Sequence, residues 1–76
     1  MDKQCNMTKS GILGNLEKGL ESEKRALALC SELLELVDNE EDKEDLREII
    51  ADEKRHIKIT DELITIVGVD YSGPEE

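Results

Sequence analysis

Two heptad seams, separated by one short acidic stretch, constrain this chain more than any other feature of its sequence. Leu13, Leu16, Leu20, Glu23, Leu27, Cys30, Leu34 and Val37 recur at alternating steps of three and four. Leu46, Ile49, Glu53, His56, Thr60, Leu63 and Val67 do the same. Such steps hold side chains on one stripe of an α-helix, the stripe that packs at a shallow angle in helical bundles. The only proline is Pro74, so no hard breaker falls inside either series. Only Asp38-Asn39-Glu40-Glu41-Asp42 is polar and turn-prone enough to part them. The chain is therefore predicted to be all-α, an antiparallel two-helix hairpin. The first helix is expected over about residues 8–37, the turn over about 38–42 and the second helix over about 43–67. Residues 68–76 form a tail, with Gly68 as the C-cap. Thr8, Ser10 and Asn15 are the candidate caps of the first helix.

One seam per helix does not use up the apolar residues. Ala26, Leu29, Leu33 and Leu36 lie off the first seam, and Ile50, Ile57, Ile59, Ile64 and Ile66 lie off the second. A domain of 76 residues buries too little surface to be robust alone. Two helices cannot cover those extra stripes, so the hairpin is expected to dimerise into a four-helix bundle or a larger homo-oligomer.

Charge and composition narrow the function. Twenty acidic against ten basic residues give a net charge of -10, which repels phosphate backbones and attracts cations. Nucleic-acid binding is excluded on that ground. Tyr71 is the only aromatic residue, so aromatic stacking plays no part. No apolar run approaches the length of a membrane span. Met1 to Ser10 contain no signal-like apolar core. Cys5 and Cys30 make neither a CxxC pair nor a disulfide framework. A cytoplasmic protein is expected.

Three seam positions do not suit a plain core: Glu23, Glu53 and His56. Buried charges are expensive unless they are paired or bind a metal. In an antiparallel hairpin, residues at one height have numbers that sum to a constant set by the turn. With the turn near residue 40, Glu23 falls level with both Glu53 and His56. Glu53 and His56, at i and i+3, are about 4.5 Å apart along one helix face. Carboxylate oxygens suit hard or borderline cations, and imidazole adds a nitrogen ligand. One hairpin has too few donors for two ions, but a two-fold dimer offers four Glu and two His. That set matches the ligands of ferritin-like di-iron bundles.

Glu23 together with Asp52-Glu53-Lys54-Arg55-His56 in one helical hairpin resembles the metal site of the ferritin-like superfamily. Within it the chain resembles the encapsulated-ferritin, or half-ferritin, type over about residues 8–67, with Glu23 and Glu53 separated by 30 residues. The resemblance implies a dimer that rebuilds a four-helix bundle, with Glu23, Glu53 and His56 as catalytic and metal-binding residues of an interfacial di-iron ferroxidase centre. It implies Fe²⁺ and O₂ or peroxide as reactants, iron storage or detoxification as the role, and an encapsulin shell as partner and nanocompartment. The chain departs from the family in three ways. It lacks the CxxC pairs of full rubrerythrins, it has no aromatic residue near the site, and Tyr71 to Glu76 do not resemble a shell-docking peptide.

Plainer readings stand beside this one. The three residues could form a register-fixing polar layer, or a non-catalytic metal staple or cargo adaptor. Manganese or zinc could replace iron. The run Asp38–Glu48 fails as a calcium loop because Lys43 stands where the template needs glycine. Glu17, Glu21 and Asp52 read as surface charge or as transient entry sites for Fe²⁺. Cys30 reads as a small buried apolar group, and Thr60 equally as a hydrogen-bonding neighbour of the site or as a donor to its own helix backbone.

Overall fold

A computed structural model of the chain describes residues 8–73. Two helices make up nearly all of it: α1 spans Lys9–Leu36 and α2 spans Glu40–Asp70. They pack antiparallel as a hairpin, and no strand occurs among the described residues. No described helix is long and apolar enough to cross a membrane.

Thr8 starts α1. Its Oγ1 accepts a hydrogen bond from the Gly11 N–H at 3.1 Å, satisfying one of the helix's free amides. Asn39 does the same for α2, its Oδ1 accepting from the Asp42 N–H at 3.0 Å. The connection is thus only 37–39, shorter than the acidic run suggested. Glu40, Glu41 and Asp42 form the first turn of α2, where the helix dipole favours carboxylates. The other end of α2 also differs from expectation. Gly68 has no positive φ and the helix runs through it to Asp70, with extended Tyr71 as the cap. Gly68 therefore does not terminate the helix. Of the predicted tail, 68–70 is helical and 74–76 lies outside the described residues.

On α1 the half-buried stripe is the one the spacing predicts, Leu13, Leu16, Leu20, Glu23, Leu27, Cys30 and Leu34, continued by Val37 at the helix cap. On α2 it is not. Leu46, Ile50, Glu53, Ile57, Thr60, Ile64 and Val67 face α1, whereas Ile49, His56 and Leu63 are exposed. Both series step by threes and fours and share every other member. Packing settles the choice, because it buries three isoleucines and leaves the imidazole in water. His56 is therefore not a seam residue of the hairpin.

The exposed apolar residues follow from this register. Leu29, Leu33 and Leu36 each immediately precede a seam residue of α1, and Ile49, Ile59, Leu63 and Ile66 each precede one of α2. One residue back is a rotation of about 100° around the helix. When two antiparallel helices face each other, that rotation carries both sets to the same side of the pair. The residues that follow the seam, among them Glu17, Glu21, Lys24, Glu35, Arg47, Lys54, Lys58 and Asp61, occupy the other side. The hairpin is thus a single layer with one apolar side and one charged side. No described residue is fully buried.

Candidate metal centre

Glu23 falls at mid-length of α1, and Glu53 and His56 straddle the middle of α2. The sequence midpoint of Glu23 and Glu53 is residue 38, the centre of the connection, so the short loop places them at one height. The side chains converge accordingly. One ligand atom from each of Glu23, Glu53 and His56 lies within 4.8 Å of the others. His56 Nδ1 is 3.9 Å from Glu23 Oε2, beyond hydrogen-bond range.

The two carboxylates enter from the seam and the imidazole from the apolar side, so the cluster sits where seam and open side meet. Glu23 Oε1 and Glu53 Oε1 are sealed from solvent and have no hydrogen-bond partner among the described residues. Leaving a buried polar atom unsatisfied costs about 1–3 kcal/mol. Placing two carboxylates at one point adds like-charge repulsion.

A divalent ion answers both costs. Oxygen and nitrogen ligands sit about 2.1 Å from such an ion, and hence about 3 Å from one another at right angles. The three donors must draw together by 1–2 Å, a movement that side-chain torsions of Glu and His supply. Two carboxylates and one imidazole fit iron, manganese or zinc, with water or a further protein group filling the remaining positions. The donor set fits a metal.

The other candidates fall elsewhere. Glu17 and Glu21 lie on the charged side, turned away from His56. Asp52 lies beside His56 on the open side and is ion-paired with Arg55. Two further ion pairs along α2, half-buried Lys43 with Glu40 at 3.8 Å and Arg47 with Glu44 at 3.1 Å, are one helical turn apart and contribute little. Cys30 is a half-buried free thiol in the seam, two turns from Glu23. Thr60 is likewise half-buried, one turn beyond His56. Cys5 lies outside the described residues. A shallow groove lined by Lys54, Ile57, Lys58, Asp61 and Ile66, among others, runs along α2 and contains none of the three donors.

Comparison with protein-family models, curated proteins and solved structures returned no match. The case for a metal rests on the residues themselves.

Proposed function

We propose that the hairpin carries half of a two-metal ferroxidase centre, completed by dimerisation into a four-helix bundle. The observation behind this reading is the convergence of Glu23, Glu53 and His56 with two sealed carboxylate oxygens that no described residue satisfies. Glu53 and His56 of each copy would hold one ion, with Glu23 as a further carboxylate ligand. Two pairs of carboxylates then match the four positive charges of two divalent cations.

Fe²⁺ is the substrate, and each ion gives up one electron. O₂ accepts the two electrons and takes two protons from solvent water to leave hydrogen peroxide, so the chain itself need supply no nucleophile or acid. Its residues bind and orient the two ions, leave coordination positions open to the oxidant, and gather cations through a net charge of -10. A two-helix hairpin encloses no volume for mineral, so Fe³⁺ passes to another compartment for storage or detoxification; a shell of the encapsulin kind is one such compartment.

Metal analysis of protein purified without chelator, followed by absorbance during aerobic Fe²⁺ addition, tests the proposal. Bound iron with saturable oxidation supports it. Bound metal without oxidation reduces the site to a staple or an assembly module, and absence of metal binding removes the site.

A further inference from the structure

The open side of the hairpin changes character along its length. In the half nearest the connection, α1 presents Leu29, Leu33 and Leu36, with Leu36 75% exposed and Leu29 57% exposed. Beside them on α2, Asp42, Asp45, Ile49 and Asp52 each immediately precede a half-buried residue. In the other half the same positions hold Ile12, Asn15, Gly19 and Ser22 on α1, and His56, Ile59, Leu63 and Ile66 on α2. The carboxylates of these rows therefore all fall in the half that carries the leucines. Residues 32–48 as a whole contain nine acidic and two basic residues, a net charge of -7 out of the chain's -10.

We propose that this end of the open side is a docking surface for a basic amphipathic helix of another protein. The helix covers Leu29, Leu33, Leu36 and Ile49 with its apolar stripe, while its lysines and arginines meet Asp42 and Asp45. The inference goes beyond the metal reading and does not depend on it. Leu33 is ten positions from Glu23, about 15 Å along the axis, so the two surfaces are separate.

Charge complementarity selects this occupant. Both basic residues of 32–48 are already engaged, Lys43 with Glu40 and Arg47 with Glu44. Glu32, Glu35, Glu41, Asp45 and Glu48 are exposed and have no such ion pair among the described residues. The helix dipole favours acids in the first turn of α2, but Asp45 and Glu48 lie beyond that turn, and Glu35 lies in the last turn of α1, where the dipole opposes it. A second copy of the chain does not supply the missing cations. Laid in the same direction, it sets this end against itself. Laid in the opposite direction, it brings the rows of the other half, which hold no lysine or arginine. A helix suits the shape, because two packed helices leave a groove between them that accepts apolar residues spaced i, i+3, i+4 and i+7. The concentrated negative charge also draws a cationic partner from solution.

Fluorescence anisotropy with a labelled synthetic helix of about 18 residues, leucine along one stripe and lysine elsewhere, tests the surface. The same peptide with glutamate in place of lysine is the comparison. The lysine peptide is expected to bind, at least tenfold more weakly in 500 mM salt than in 50 mM, and the glutamate peptide is expected not to bind. Leu33→Ser, and Asp42→Asn combined with Asp45→Asn, should each weaken binding at least tenfold. Glu17→Gln combined with Glu21→Gln, which removes the same charge from the opposite side, should leave affinity within twofold of wild type. Leu33, Asp42 and Asp45 are exposed, so the hairpin does not rely on them for its own packing, and circular dichroism records that helicity is kept. Absence of lysine-peptide binding overturns the proposal. So does equal binding of the glutamate peptide, wild-type affinity in Leu33→Ser, or a loss in the Glu17 and Glu21 variant as large as that in the Asp42 and Asp45 variant. A wild-type dimer that excludes the peptide and is dissociated by Leu33→Ser in sedimentation also overturns it, making a second copy the occupant. All binding is measured in EDTA, so failure here leaves the metal reading untouched.

Discussion

His56 Nδ1 stands 3.9 Å from Glu23 Oε2, joining the middle of α2 to the middle of α1 across 33 positions of sequence. The separation is too long for a hydrogen bond and within reach of an ion pair when the imidazole is protonated. With Glu53 they leave a gap lined by two oxygens and a nitrogen.

Because the donors come from both helices, loss of the α1 member should be as damaging as loss of either α2 member. Glu23→Ala is expected to weaken divalent-metal binding at least tenfold and to abolish saturable Fe²⁺ oxidation. Glu32→Ala, on the exposed outer face of α1, should leave both unchanged. Titration calorimetry with Mn²⁺ and a stopped-flow oxidation assay read the two effects. Wild-type values for the Glu23 variant would show that the helices do not share a site.

The metal-free protein should become more stable when one carboxylate leaves the cluster. Glu53→Leu removes an unsatisfied buried oxygen and a like-charge contact while adding apolar area to the seam. Unfolding by urea in chelator should show a gain of about 1–3 kcal/mol. A loss of stability would mean that the carboxylate has a partner holding it in place.

Metal should stabilise the wild-type chain and leave the Glu53 variant untouched. An ion bound only by the folded state adds about 2.7 kcal/mol at one hundred times its dissociation constant. A thermal scan with and without excess Mn²⁺ should therefore show an upward shift in Tm that EDTA reverses. The same shift in the Glu53→Leu protein would place the metal elsewhere.

The three-residue connection depends on Asn39, whose side chain caps α2 and thereby fixes which residues lie level. Asn39→Ala should cost about 1 kcal/mol and Asn39→Gly only a few tenths. Urea midpoints at constant m-value measure both. Equal losses for the two would point to the loop conformation, rather than the Oδ1 hydrogen bond, as the source of the effect.

Much of this arrangement is written in the sequence. The two helices follow from unbroken three-four spacing without an internal proline. The α1 seam from Leu13 to Val37 can be read off directly, because the rival set rotated by one residue would replace Leu13, Leu20 and Leu27 with Ile12, Gly19 and Ala26 and so bury less apolar surface. Level placement of Glu23 with Glu53 follows from a short antiparallel turn, since chain geometry leaves little freedom in height. What spacing could not decide is the face α2 turns inward. Leu46, Glu53, Thr60 and Val67 belong equally to a seam with Ile49, His56 and Leu63 and to one with Ile50, Ile57 and Ile64. The two alternatives differ by a rotation of the helix about its own axis, and both are patterned alike. Only the fit of α2 against α1 separates them, by burying three isoleucines in preference to an imidazole. That rotation puts His56 on the hairpin's open side and gathers the leftover leucines and isoleucines beside it. A linear pattern cannot express that neighbourhood, because it exists only once two helices share a side.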